Sequence, residues 1–361
     1  MGHTDGQGGA QTAFKKLCAF TTQEGHKVKI IVLSDSKADM QPFKREELLG
    51  TIAYTGSSVL LPLRKAIDVL YLGLKARRFQ PDVFVCVGLN NSSNTIARFL
   101  GKRCFKTGQD FIANRTSDDP TWVSSKKVMD GLVVQAPSML SHWKKKEQSA
   151  AQINWLPCFP EVPAEGVLKQ EKSINETEIK LGYFGRLAGN KGLDLLFQAL
   201  ADAKTPKNLR LDLWGKGQEE PALKRLAEEL GIASMIGFCG GYPSGTEGAT
   251  LMASYDAMVL CSTGMEGLPL ILLESMAYGI PFLATNVGAI QDCCIDNPDA
   301  VLVNPDQASI VEGLKQLILK IEQGHFIAER HKLFYDNTFS HDVMGARWRT
   351  FYSDPKRFFY A

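Results

Sequence analysis

Short β-branched runs alternate with helix-forming patterns from one end of the chain to the other, and this constrains the fold more than any other feature. The runs are HKVKIIVL (26–33), PDVFVCVG (81–88), GLVVQA (131–136), INWLP (153–157), EIKLGYFG (178–185), LRLDLWG (209–215), DAMVLC (256–261) and IPFLAT (280–285). Strands separated by a helix's length of chain do not pair as tight hairpins; they pair in parallel through crossover helices. The expected fold class is therefore α/β. Between the fourth and fifth runs lies PCFPEVPAEGVLKQEKSINETE (157–178), rich in proline and charge and without a sustained period, which reads as an interdomain linker. A chain of 361 residues then divides into two doubly wound halves. Ligands of such sheets bind beyond the carboxyl ends of the strands, so the expected site is a cleft between two facing sheets.

Composition excludes several classes. A formal net charge of +2, from 41 basic and 39 acidic side chains, gives no electrostatic footprint for nucleic acid. The eight cysteines form no C-x-x-C pair, so no zinc site is expected. Several lie inside apolar runs such as FVCV and MVLC and read as small buried hydrophobes, which suits a reducing compartment. The start, MGHTDGQGGAQTAF, has no apolar signal-peptide core, and no run reaches the roughly 18 apolar residues a membrane span needs. A cytoplasmic protein is expected. Basic and aromatic residues mix in the tail, HDVMGARWRTFYSDPKRFFYA (341–361), which reads as a final helix packing its aromatic face rather than as a membrane anchor. Membrane association is compatible with the sequence but not indicated by it.

Two segments carry chemistry. In FGRLAGNKGLDLLFQAL a strand ends at Gly185, Arg186 follows at once, and Lys191 precedes an amphipathic helix bearing Leu193, Leu196 and Leu200 on one side. Two cations at a strand's carboxyl end and a helix N-terminus suit an anion such as a diphosphate. By themselves an arginine and a lysine in a turn are ordinary surface residues. The second segment, MEGLPLILLESMAYGIP (265–281), places Glu266, Gly267 and Leu268 in a turn after a strand and predicts a helix over about 269–278, with Pro269 in its first turn and Gly279 at its stop. Glu274 lies inside that apolar helix. A carboxylate there needs donors, and the hydroxyl pair of a ribose would supply them, while Glu266 at the mouth of the turn is placed to meet a sugar beyond the diphosphate.

These motifs, together with LWGKGQEEPALKRLAEELG, YDAMVLCSTGMEGLPLILLESMAYGIPFLATNVGAIQD and NPDQASIVEGLKQLI, make residues 180–320 resemble the retaining nucleotide-sugar glycosyltransferases of glycosyltransferase family 4. The resemblance implies the GT-B fold: two Rossmann-like domains with parallel sheets facing across a cleft. It implies an acceptor domain over 1–157 completed by a C-terminal helix (341–361), a linker over 158–178, and a donor domain over 179–340. It implies that Arg186 and Lys191 hold the diphosphate, Glu274 the ribose, and Glu266 with the Gly267 and Leu268 backbone the donor sugar and β-phosphate. Gly185 belongs to the same turn, and the turns at Gly215 and at Gly241–Tyr242 would flank the base.

The first half matches the family more loosely. Relatives begin with a buried strand leading into a Gly-Gly loop; here Gly8 and Gly9 stand so early that the strand is expected to be absent or shortened. Many relatives place a histidine near the donor sugar, where this chain has CFKTGQDF (104–111), with Gln109 and Asp110 instead. The implied reaction moves a hexose from a GDP-mannose-like or UDP-glucose-like donor to a hydroxyl of a glycan or glycoconjugate, with no metal or other cofactor. Two alternatives share the scaffold: a nucleotide-sugar epimerase or hydrolase, and a non-catalytic nucleotide-sugar-binding protein.

Overall fold

The structure is a computed structural model. It describes residues 2–3, 9–33, 43–52, 61–87, 91–100, 104–107, 124–125, 127–146, 153–162, 167–169, 178–203, 206 and 208–360. The chain forms two compact units, one made of Met1–Phe159 with Met344–Ala361 and the other of Pro160–Val343.

In the first unit the chain runs β1 (Gly2–His3), α1 (Gly9–Gln23), β2 (Ile30–Leu33), β3 (Leu48–Ile52), α2 (Leu61–Phe79), β4 (Val85–Val87), α3 (Asn91–Leu100), β5 (Cys104–Thr107), β6 (Met129–Val134), α4 (Pro137–Lys146) and β7 (Ile153–Trp155). All pairings are parallel, in the groups β1-β2-β3 and β4-β5-β6-β7, and β1 lies beside β4. The strand expected to be absent or shortened is thus present as a two-residue stub, paired through Gly2 and His3 to Val32 and Leu33. α1 already begins at Gly9.

The tail closes this unit as two helices, α11 (His341–Ser353) and α12 (Pro355–Tyr360), instead of one. Pro355 cannot continue the first helix because it has no N–H and its ring disfavours a helical conformation at Asp354. Met344, Trp348 and Phe351 are buried along α11. The Trp348 indole donates to the Pro157 carbonyl at 2.9 Å, Arg347 stacks over the Trp155 ring at 3.7 Å, and Arg349 makes a bidentate pair with Glu24. The aromatic residues therefore fill a core.

The second unit runs β8 (Ile179–Phe184), α5 (Leu193–Asp202), β9 (Leu209–Trp214), α6 (Glu220–Glu229), β10 (Ile236–Gly240), α7 (Gly245–Ala253), β11 (Ala257–Leu260), α8 (Leu270–Ala277), β12 (Phe282–Thr285), β13 (Ala300–Val303), α9 (Gln307–Glu322) and α10 (Ala328–Thr338). Every residue of β11 and β12 is buried, and nearly every residue of β8, as befits parallel strands covered on both faces. In α5, Leu193, Leu196, Phe197 and Leu200 recur at helical spacing and form the face turned to the sheet. The Asp306 side chain caps α9 by accepting the Ser309 N–H at 2.9 Å, and that bond holds its carboxyl below the usual range.

The strand order is β10-β9-β8-β11-β12-β13, all parallel. Counted from β8 this is 3-2-1-4-5-6. The chain winds one way from β8 to β10, then crosses back to place β11 on the other side of β8. At that reversal, crossover connections leave β8 and β11 in opposite directions and open a crevice at the carboxyl ends of these two strands. Both units have their first four strands in this order.

His331 on α10 is buried, 5.5 Å from the Phe282 ring between centroids. Asn297 Oδ1 accepts from the Asp299 N–H, so His331 Nδ1, 3.0 Å away, must be the donor. That leaves Nε2 as a buried acceptor without a donor among the described residues. Burial lowers the imidazole pKa from 6.5 to about 4, with Asp299 opposing and Arg330 assisting. The unfolded chain binds this proton more readily than the folded one, so the contribution is complete above 6.5 and is lost as pH falls toward 4. His331→Phe is expected to remove a stability decrease on the order of 3 kcal/mol over that window, read as the difference between wild-type and variant denaturant titrations.

Candidate functional site

The carboxyl ends of β8, β9, β10 and β11 lie along one edge of the second sheet, because all four strands run parallel. Gly185 and Arg186 follow β8, Gly215 follows β9, Gly241 and Tyr242 follow β10, and the turn Ser262–Leu268 follows β11.

Two loops meet at the reversal point. The first is a single 3-10 turn, Gly189–Lys191, leading into α5. The second is the turn after β11. Asn190 O accepts the N–H groups of Thr263 and Gly264 at 3.0 and 3.1 Å, so the backbones of the two loops are joined directly. Gly192 permits this approach. It has φ +61, and a Cβ there would lie 2.0 Å from the Cys261 carbonyl oxygen, so any side chain would drive the loops apart.

Glu266 is buried beneath the junction. Its Oε1 accepts from the Lys191 ammonium at 2.5 Å and from the Ser262 hydroxyl at 2.5 Å. Thr285 at the end of β12 anchors the same turn by donating to Ser262 O at 2.6 Å. Lys191 spends one of its three donors on Glu266. Arg186, one strand-end away, is exposed, and its guanidinium makes no hydrogen bond or ion pair among the described residues. Its backbone is set by the buried Tyr183, whose hydroxyl donates to Arg186 O at 2.7 Å. Burial first, then the Glu266 charge, pushes the Tyr183 phenol well above its ordinary value; it stays a neutral donor at any physiological pH. One carboxylate and two cations leave a surplus positive charge. The N-terminus of α8, which starts after Gly267, Leu268 and the N-cap Pro269, adds to it.

Glu274 sits one turn into α8, half-buried. Its Oε1 accepts the backbone N–H of Glu161 at 3.1 Å, and Tyr278 donates to Glu161 O at 2.8 Å, which holds that strand of chain against the helix. Residues 167–169 run along the same unit: Lys169 N–H bonds to Tyr278 O, and its ammonium reaches Tyr255 O and the buried Asp256. Tyr242 meets the Phe184 ring edge-on at 5.1 Å. Burial, then the charges of Glu274 and Glu161, push its phenol up to about 12. Gly215 packs tightly between β8 and β10: its N–H bonds to Gly240 O at 2.5 Å, and with φ +141 a Cβ would lie 1.8 Å from Gly185 O.

The structure thus gathers Gly185, Arg186, Lys191, Gly215, Gly241, Tyr242, Glu266, Gly267 and Leu268 along one sheet edge, with Glu274 on the adjoining helix. Gly9 opens α1 in the first unit. Gly8, Gln109 and Asp110 lie outside the described residues. Sequence reasoning missed Ser262, Asn190, Tyr183 and Glu161. The only one with a spacing signal is Ser262, four residues before Glu266.

The amino-acid sequence over residues 166–333 matches the family described as Glycosyl transferases group 1. Those residues are a domain of that family. The chain is similar to N-acetyl-alpha-D-glucosaminyl L-malate synthase of Bacillus anthracis, 28% identical over 191 residues that make up 53% of this chain and 49% of the relative. It is also similar to the lipopolysaccharide glucosyltransferase WaaG of Escherichia coli, 34% identical over 157 residues, 42% of this chain and 40% of the relative. The chain spans about half the length of these relatives, or less. Among solved structures, the Anabaena protein HepE in complex with UDP-glucose superposes with a TM-score of 0.73 at 14% identity, over 97% of each chain. Likeness over the whole length shows the fold, which is α/β of the GT-B class.

Gly192→Ala is expected to lower stability by about 1–3 kcal/mol and to separate Lys191 from Glu266. Gly189→Ala, three residues away with no atom within 4 Å of an added Cβ, is the neutral control. Thermal unfolding of the two variants checks both.

Proposed function

We propose that the chain is a retaining glycosyltransferase that moves a hexose from a nucleoside-diphosphate sugar to a hydroxyl of a glycan or glycoconjugate. The observation that carries this reading is the convergence of Arg186, Lys191, Glu266 and the start of α8 at the reversal point of a group 1 domain. The names of the relatives support it. The donor is UDP-glucose-like or GDP-mannose-like, and the UDP-glucose seen in HepE supports the first.

In this reading the diphosphate lies against Arg186 and the unused donors of Lys191. Negative charge grows on the leaving β-phosphate as the glycosidic bond breaks, and prepositioned cations in a partly dry site stabilise it without reorganising. Glu266, held by Lys191 and Ser262, turns its remaining acceptor capacity to the sugar hydroxyls. Glu274 accepts from the ribose, Gly215 and Gly241–Tyr242 flank the base, and the Gly267 and Leu268 backbone meets the sugar and β-phosphate. The departing phosphate oxygen takes the acceptor's proton. The reaction as proposed uses no metal, since the two cations supply the charge. Acceptor recognition is assigned to the first unit; Gly8 and Gly9 are proposed to meet phosphate or acceptor, and Gln109 and Asp110 to stand where relatives place a histidine near the donor sugar. A cytoplasmic setting is part of the same proposal.

Thermal-shift measurements with a panel of nucleoside diphosphates are expected to show stabilisation by one base above the others. Glu274→Ala is expected to weaken that binding. Arg186→Ala alters an exposed side chain, so the fold is expected to survive while turnover falls on the order of 10²–10³-fold. Normal turnover in that variant would overturn the phosphate assignment.

A further inference from the structure

Helix α2 of the first unit is apolar on both sides. Its inner face buries Val69, Leu72 and Ala76, two of which join Ile31, Ile52, Cys86 and Ile96 in the core. Its outer face presents Leu63, Ile67, Leu70 and Leu74 at spacings of four, three and four residues, with Tyr71 beside them, each 48–61% exposed. A surface helix ordinarily turns polar residues outward. Of the large apolar side chains exposed among the described residues, this stripe holds five, and the rest are scattered over other elements.

The charges on α2 are sorted as well. Arg64, Arg77 and Arg78 are exposed. At 100° per residue they fall within or beside the arc occupied by the apolar stripe. The helix's one acid, Asp68, is half-buried on the flank, as is Lys75, whose ammonium is taken by Leu49 O at 3.2 Å and lies over the Tyr71 ring. The outward face of the helix therefore carries guanidinium groups and no carboxylate, in a chain whose net charge is only +2. Such a face repels a second copy of itself and attracts a surface that is anionic outside and apolar beneath. The aromatic tail does not occupy it, since Trp348, Phe351 and Phe358 are committed to their own core. No described helix is long and apolar enough to cross a membrane, so the mode available to α2 is lying along one.

We propose that the outward face of α2 docks on an anionic lipid bilayer. Leu63, Ile67, Leu70 and Leu74 enter the headgroup–acyl boundary, Tyr71 sits at its level, and Arg64, Arg77 and Arg78 meet the lipid phosphates. The proposal does not depend on the transferase reading, because lipid binding is measured without donor or acceptor.

The test is cosedimentation of the full chain with vesicles of equal parts phosphatidylcholine and phosphatidylglycerol, and with vesicles of phosphatidylcholine alone. Preferential binding to the anionic vesicles is expected. The triple variant R64Q/R77Q/R78Q should bind them on the order of 100-fold more weakly, at about fivefold per charge. I67Q/L70Q/L74Q should lose binding to both while keeping the wild-type melting temperature, since these side chains are exposed. Absence of wild-type binding, or binding unchanged in both variants, would overturn the proposal. So would a lipid-free dimer that I67Q/L70Q/L74Q converts to monomer in analytical ultracentrifugation, because the face would then be a protein interface.

Discussion

The pair between Lys191 and Glu266 ties together two loops that leave the sheet on opposite sides of its reversal point. Neither loop belongs to a regular element long enough to place itself. The lysine comes from a single 3-10 turn after β8 and the glutamate from a turn after β11, and the sheet alone brings those ends side by side. Removing one member would leave a charge largely shielded from water without its counterpart, a loss of about 3–5 kcal/mol in buried pairs. The loop geometry and the local field therefore stand or fall together. Ser262, the Asn190 carbonyl and Thr285 lock the same junction from three directions.

Glu274 makes a comparable economy of the second carboxylate. Within the fold it accepts a backbone N–H from Glu161 and thereby fastens the start of the second unit's chain to α8. In the proposed function the same carboxylate meets a ribose. A carboxylate offers about four lone-pair sites, so the Glu161 N–H by itself does not exhaust its acceptor capacity. Tyr242, with its phenol neutral and its ring against Phe184, lines the same neighbourhood from β10.

The first unit separates stability from surface chemistry along a single helix. The inner side of α2 belongs to the core and the outer side has the composition of an interface. The tail shows the contrary case. Its mixture of arginines and aromatics has the same composition as an anchoring segment, yet Arg347 stacks on Trp155, Arg349 pairs with Glu24, and Trp348, Phe351 and Phe358 pack inward. Composition does not distinguish the two; the direction of each side chain does.

The sequence by itself determined the parallel α/β class. Strands buried on both faces, such as β8, β11 and β12, must be continuous apolar runs, and that requirement is local and visible. The helix of Glu274 was legible for the same reason, through Pro269 and Gly279 at its ends. β3, β10 and β13 were not legible because their apolar runs are broken: β10 buries only Ile236, β13 leaves Leu302 exposed, and glycines interrupt β3 and β10. Tertiary structure decided the strand order, and with it every contact that makes the site. Lys191 and Glu266 are 75 residues apart and Glu161 and Glu274 are 113 apart. Periodicity and propensity act over a few residues, so they state which residues form strands and helices but carry no term for which strand ends become neighbours; only packing of the whole sheet supplies it.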